Sequence, residues 1–259
     1  MITHRLWLAA ALAATYCAPI QAATLASYNL AGVPNSPVAS VVASPAPVGI
    51  INVDLTRGPG VNAASLTNGF SADMWNRATP SLETAVTNGD YFQFGLSVAP
   101  GYVSSLSTLD LALRRSAAAS PMNLQLQASL DNFATPGIVI SSFNYFGRTS
   151  GTAPVDPIAP FAYMTGDVPG RPNTTTSPGD PIPTVDLSTF TQLQDLPGGT
   201  SVKFRLFAWG SATTAATNTL ALGRMIGPAI GGEVTAVPEP TTAALACSLA
   251  LVGLAIRRR

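Results

Sequence analysis

The chain has 259 residues, thirteen basic and thirteen acidic, so its formal net charge is zero and only 10% of it is charged. Its one histidine, His4, and its two cysteines, Cys17 and Cys247, all lie near the two ends. The long stretch between them therefore cannot build Ser-His-Asp or Cys-His nucleophiles, His or Cys zinc sites, haem ligation, redox thiols or internal disulfides.

Met1 to Arg5 carry one firm positive charge, and Leu6 to Ala18 form a thirteen-residue apolar core followed by Pro19-Ile20-Gln21-Ala22. This is the layout of a secretory signal peptide over residues 1–22, with the cut between Ala22 and Ala23 and the general secretion machinery as partner. Tyr16 is too large for the small-residue position before a lipid-modified cysteine, so Cys17 does not signal lipidation. The body that remains, residues 23–236, keeps nine basic and twelve acidic residues and has a formal charge of about −3. Its only lysine is Lys203, and its arginines are scattered, so it lacks the electrostatic footprint of a nucleic-acid binder. Just over two hundred residues suffice for one core without covalent staples.

The pattern of the body is strand-like. Strands are predicted at Thr24–Leu30 and Val48–Leu55, then at Tyr91–Val98 with Phe92, Phe94, Leu96 and Val98 on one face. Leu109, Leu111 and Leu113 alternate with Asp110, Ala112 and Arg114, and Leu124, Leu126, Ala128 and Leu130 with Gln125, Gln127 and Ser129. Ile138–Phe143 follows, then Val202, Phe204, Leu206 and Ala208 against Lys203, Arg205 and Phe207, and finally Thr219–Met225 and Gly232–Thr235. Period-two alternation places one face in a core and the other toward water. Asn88-Gly89, Pro100-Gly101 and Pro197-Gly198-Gly199 supply turns. A short helix is predicted at Leu82–Val86, with Ser81 as N-cap. Pro34 to Pro47 and Arg148 to Pro183 read as irregular, the second as a surface insertion. The fold class expected is all-β, a two-sheet β-sandwich resembling a jelly roll, with an immunoglobulin-like sandwich as the alternative.

After Val237 come Pro238-Glu239-Pro240, the sixteen-residue uncharged run from Thr241 to Ile256, and Arg257-Arg258-Arg259. The prolines interrupt any helix, the run forms a membrane helix, and the arginines hold the C-terminus on the cytoplasmic side. Sixteen residues rise about 24 Å, short of the ~30 Å hydrocarbon core, which suits temporary retention. In this order and without a gap, residues 237–259 resemble the PEP-CTERM sorting signal of Gram-negative bacteria that make an extracellular matrix. The resemblance implies a membrane-embedded exosortase that processes the chain near Pro238-Glu239-Pro240. A plain C-terminal anchor with a proline hinge is the alternative.

The body also resembles a recurring ectodomain of PEP-CTERM proteins. The matching pieces are Arg57-Gly58-Pro59-Gly60, Tyr91-Phe92-Gln93-Phe94, Leu106-Ser107-Thr108-Leu109-Asp110, Arg114-Arg115-Ser116, Ser129-Leu130-Asp131-Asn132-Phe133 and Phe204-Arg205-Leu206-Phe207-Ala208-Trp209-Gly210. The chain departs from that pattern at Ala117-Ala118-Ala119-Ser120-Pro121 and in the Arg148–Pro183 segment. The resemblance implies a fold and a destination but no activity.

Candidate chemistry in the body is sparse. Trp75, Tyr91, Tyr145 and Trp209 are aromatic residues of the kind that stack on sugars, or else fill a core. Arg114, Arg115 and Arg205 suit an acidic polysaccharide, or else brace sheet faces against carboxylates such as Asp110 and Asp131. Asp131-Asn132, Asp167 and Asp180 match no calcium loop. Arg57-Gly58-Pro59-Gly60 lacks the Lys-Ser/Thr ending of a phosphate loop. No cofactor and no metal are expected. The function expected is that of a non-enzymatic exported envelope or extracellular-matrix protein, held transiently in the inner membrane and then processed. The alternatives are a carbohydrate-binding module acting on exopolysaccharide and, behind it, a glycosidase working through paired carboxylates.

Overall fold

The computed structural model describes residues 23–75, 81–115, 121, 123–145, 179–211 and 218–237. The expected signal peptide, most of the expected 148–183 insertion, and the expected sorting signal beyond Val237 with its helix over 241–256 lie outside the described residues.

The body is all-β and sandwich-like, and every strand pair is antiparallel. One sheet runs β2 (Ile50–Arg57), β5 (Tyr91–Val98), β13 (Ser201–Trp209), β8 (Asn123–Ser129) and β9 (Ile138–Asn144) in spatial order. A second runs β1 (Ala23–Asn29), β15 (Ile226–Ala236) and β6 (Tyr102–Asp110), with β11 (Val185–Asp186) and β12 (Leu196–Pro197) both on the far side of β6. A third runs β10 (Asp180–Pro181), β7 (Ala112–Arg115), β14 (Leu220–Leu222), β4 (Phe70–Asp73) and β3 (Asn62–Ala64). The last two sheets are continuous along the chain. Only Leu111 separates β6 from β7, and only Gly223, Arg224 and Met225 separate β14 from β15.

The core lies between the first sheet and the other two. Phe92, Phe94, Leu96 and Val98 of β5 are fully buried, as are Val202, Phe204, Leu206 and Ala208 of β13, so period-two alternation set these faces correctly. Phe94 stacks on Phe204 with ring centroids 5.6 Å apart, while Phe92 meets Phe70 at 5.8 Å and Trp75 at 5.1 Å from across the core. Each such ring, taken fully out of water, contributes about 1.5–3 kcal/mol. Phe207 points to the opposite face of β13 and is buried there too, at 1% exposure.

Tyr28 of β1 reaches across the core and mends a fault in the first sheet. The β2–β5 register slips between Val53 and Thr56. There the Tyr28 hydroxyl accepts from the Gly95 N–H at 3.0 Å and donates to the Val53 carbonyl at 2.6 Å. The bulge thus has its loosened backbone groups satisfied from the other layer, as buried polar groups require. Burial pushes the Tyr28 phenol up to about 12, with the Gly95 backbone contact opposing that shift.

Helix α1 (Leu82–Asn88) starts and stops for local reasons. The Ser81 hydroxyl accepts from the Thr84 N–H at 3.1 Å, and Gly89 closes the helix at φ +77° in the left-handed region.

Several elements differ from expectation. The alternating stretch around Leu109 to Arg114 is two strands, because the chain changes sheet at Leu111. The short strand expected at Gly232–Thr235 is the C-terminal part of the eleven-residue β15, whose early Gly227 and Pro228 mask it in the sequence. Leu130 lies just past the end of β8 and is 40% exposed, so the alternation ends at Ala128. The Pro34–Pro47 segment is irregular apart from the bridge between Val41 and Leu55, yet it buries Val41 and Ala43 against the core.

Candidate functional site

The most consequential geometry is at the end of the sandwich where the chain enters and leaves. Ala23, the first residue after the expected signal-peptide cut, lies opposite Gly232 on the neighbouring antiparallel strand. Antiparallel neighbours run in opposite directions, so β1 begins near the end of β15, opposite Gly232 and four residues before Ala236. Val237 closes the ladder by donating its N–H to the Gly101 carbonyl at 2.8 Å. Pro238, Glu239, Pro240 and Arg257–Arg259 lie outside the described residues, as does Ala22.

Three loops share that end. Ala99 N–H donates to Gly49 C=O at 2.9 Å, and Gly199 N–H to Val98 C=O at 2.8 Å. Gly101 and Gly199 have φ of +82° and +91°, which explains glycine in both turns.

The aromatic candidates separate. Trp75 is 1% exposed, packs on Phe92 and donates its indole N–H to the Ala72 carbonyl at 2.7 Å. The expectation of Trp75 as a sugar contact is therefore corrected: its ring has no face open to a ligand. Tyr145 is likewise buried, with its hydroxyl donating to Leu113 C=O at 3.1 Å. Tyr91 and Trp209 are half-buried. Tyr91 lies opposite Phe207 in the β5–β13 register, and Trp209 is two residues further along β13, so all three side chains share the outer face of the first sheet.

Arg205 occupies that outer face. Its guanidinium lies 4.2 Å from the Tyr91 ring centroid and 4.1 Å from that of Phe133, and its Nε donates to Gln93 Oε1 at 2.9 Å. It braces the sheet through aromatic rings and a carboxamide rather than through Asp110 or Asp131. Asp110 instead accepts from the Thr184 hydroxyl. Asp131 accepts from the hydroxyls of Thr135 and Ser129, in that order of effect, and these hold its carboxyl below the usual range. The carboxylate is thus engaged in its own turn. The guanidinium of Arg224 is lowered by burial and then by nearby Arg114. For Arg115 and Asp180 the backbone is in strands, and Asp167 lies outside the described residues.

Arg57-Gly58-Pro59-Gly60 proves to be an architectural joint. Arg57 Nη1 donates to Val38 C=O at 2.6 Å and its Nε to Ser71 C=O at 2.8 Å, with the guanidinium 3.5 Å from the Phe70 centroid. Burial lowers Arg57 to about 10 while Asp73 opposes the shift, so it stays cationic at neutral pH. A Cβ on Gly58 would collide with Gly89 C=O, and one on Gly60 with the Asp90 carboxylate and Asn88 C=O. The two glycines let this loop pass against the turn that ends α1.

Open cavities lie on the sandwich. One of about 260 Å³ lies between β6, β15 and the 188–194 loop, lined by Ser105, Ser107, Ser188, Gln194 and Glu233. Another, about 440 Å³ and more apolar, lies at the opposite end near Leu111, Ile182 and Ile226. No group of three or more His, Cys, Asp or Glu among the described residues is arranged to hold a metal, and no described helix is long and apolar enough to cross a membrane.

Fold and geometry define an all-β, sandwich-like protein of antiparallel sheets. No protein-family model, curated protein or solved structure matches the chain.

Proposed function

We propose that the chain is an exported, non-enzymatic protein of the cell envelope or extracellular matrix, with a jelly-roll-like two-layer sandwich as its body. Residues 1–22 direct export and are removed before Ala23. Residues 241–256 hold the body transiently on the outer face of the inner membrane, and an exosortase-type enzyme then processes the chain near Pro238-Glu239-Pro240. The observation that carries the reading is the ordered tail, Pro-Glu-Pro, apolar run and arginines, joined without a gap to the end of β15. The shared exit of the body's two ends supports it. A chain whose leading and trailing apolar segments leave from one end can keep both in the same bilayer while the body stays outside.

The two parts of the tail have separable roles. Arg257–Arg259 resist translocation, while the prolines keep the backbone extended, as protease clefts generally require. Replacing Pro238, Glu239 and Pro240 together by alanine is expected to leave export intact and block processing, with full-length protein accumulating in the inner membrane. Neutralising the arginines is expected to let uncleaved chain escape. Mass spectrometry of both ends reads the outcome. Processing of the alanine variant at the wild-type rate would refute the sorting reading and leave a simple anchor.

A second reading, contact with exopolysaccharide, is favoured by one observation: Tyr91 and Trp209 share the outer face of the first sheet. Binding on a glycan array that is lost in Trp209→Ala and kept in Trp75→Phe would support it.

A further inference from the structure

Around the point where the tail departs, the end of the sandwich is uncharged over the segments contributed by β2, β5, β6, β13 and β15. Residues 45–53, 95–105, 196–202 and 234–237 contain no Asp, Glu, Lys or Arg. Val48 is 79% exposed and Val237 49%, and Pro100 and Gly101 are exposed between them in the chain's folding back from β5 to β6. Tyr102 stands beside Gly49, in the position where a Cβ on that glycine would meet its ring. Asp131, in the β8–β9 turn beside Lys203, bounds this uncharged patch at one edge, and the nearest charges on its own strands are set back. Lys203 is two residues inside the start of β13, Glu233 three before the end of β15, and Asp195 lies against Ser105, three residues into β6. At about 3.3 Å per residue these charges form a collar roughly 7–10 Å behind the face. The opposite end carries Asp73, Asp90, Asp110, Arg114 and Arg224.

The chain leaves this face on a very short tether. Only Pro238, Glu239 and Pro240 separate Val237, which is bonded to Gly101, from the apolar run at Thr241. The four residue steps from Val237 to Thr241 span at most about 13–14 Å. A headgroup layer is about 5–8 Å thick, the difference between the ~30 Å hydrocarbon core and the ~40–45 Å bilayer, shared between two sides. A run that rises only about 24 Å also draws its own start inward. What remains of the tether lets the body lift by only a few ångströms.

We infer that this charge-free face, with Val48 and Val237 foremost, rests on the lipid headgroup surface while the tail is anchored, so that the membrane and not another protein is its partner. The inference rests on the anchoring role proposed above for residues 241–256. The contact orients the body. The collar of charges sits at the water side of the headgroups, and Ile226, at the far end of β15, stands about 33 Å from Ala236 along the strand. Because the face has no charge, its contact is insensitive to lipid charge and to salt.

The test uses the full chain with Cys17 and Cys247 replaced by serine, so that a single cysteine carries an environment-sensitive fluorophore. Three labelled variants, Val48→Cys, Thr200→Cys and Ile226→Cys, are reconstituted into phosphatidylcholine vesicles containing a headgroup nitroxide lipid. Flotation of the vesicles first reports whether the chain is anchored at all. Failure to float refutes the anchoring reading itself. Given flotation, the expected result is strong quenching at positions 48 and 200 and little at 226, unchanged when anionic lipid or 0.5 M salt is added, a concentration at which surface charge is largely screened. Equal quenching at all three positions, or at none, overturns the inference while leaving the anchor intact. Protection of the Val48 label that follows protein concentration rather than lipid also overturns it, and assigns the face to a second copy of the chain.

Discussion

Replacing Tyr28 by phenylalanine tests the account of how the two layers are locked together. The substitution keeps the ring, its edge-on contact with Phe94 at 6.3 Å and almost all of the buried area. It removes only the hydroxyl, leaving the Gly95 N–H and the Val53 C=O without the partner that each has at the bulge in β2–β5. Stranding buried backbone groups costs about 1–3 kcal/mol, so a loss of about 2 kcal/mol is expected. For a body of this size that corresponds to a fall in Tm of about 4–8 °C. Urea unfolding of residues 23–237, followed by tryptophan fluorescence at pH 7, measures it. The alkaline limb gives an independent check. Tyr28 is raised from 10.0 to about 12 in the folded state, so its stabilising contribution is complete below pH 10 and is lost between pH 10 and about 12. Two pH units correspond to about 3 kcal/mol. Arg57, lowered by burial to about 10, acts in the opposite sense, but it is present in both proteins and cancels in the difference. The gap between wild type and Tyr28→Phe should therefore close across that window. A gap below about 0.5 kcal/mol at pH 7, the range of an ordinary surface change, would refute the reasoning, as would one that stays constant to pH 12.

Two further substitutions probe the joint beside α1. Gly60→Ala places a Cβ on the Asp90 carboxylate and the Asn88 carbonyl, so a loss of about 2–3 kcal/mol is expected in the same urea assay. Full stability in that variant would mean that the loop has room to move. Ser81→Ala removes the cap on the Thr84 N–H and should cost about 1 kcal/mol, with the loss restored by Ser81→Asp.

The parts of the fold that were legible in the sequence are those where alternation and turn chemistry agree. Tyr91–Val98 carries four apolar residues at period two between Asn88-Gly89 and Pro100-Gly101, and it is a strand over that whole range. The same agreement located β13, β8 and the helix cap at Ser81. What escaped was built from small or polar residues. The first half of β6 reads Tyr-Val-Ser-Ser, and Ser104, buried in line with Leu106, breaks the apolar side of the alternation. The four-residue β4, Phe70-Ser71-Ala72-Asp73, alternates apolar and polar residues but is too short for the pattern to stand out, and its polar residues are buried as well. The sequence left Trp75 between a sugar contact and a core position, because an aromatic residue beside a loop looks the same in sequence whether it caps a core or faces water; its burial favours the core. The role of Arg57-Gly58-Pro59-Gly60 depends on the turn around Gly89, some thirty residues away, and no local pattern carries that.

The position of β15 constrains what a processing enzyme can do to this chain. The strand lies between β1 and β6 and is hydrogen-bonded on both sides, so a cut within it would unzip the centre of its sheet. Thr235 still pairs with Val103, Ala236 with Tyr102, and Val237 is held by Gly101. Extended chain available to a cleft without opening the ladder therefore begins at Pro238. The proline there has no N–H to lend to a further ladder bond, so the sheet stops where the motif begins. On the membrane side, Glu239 is costly to draw into hydrocarbon as a charged group, which keeps the apolar run from sliding toward the body. On the anchoring role proposed above, the three-residue motif is all the chain between the folded edge and the bilayer. On the same proposal, an enzyme that processes the chain would work at that boundary, which favours one embedded in the membrane over a soluble protease.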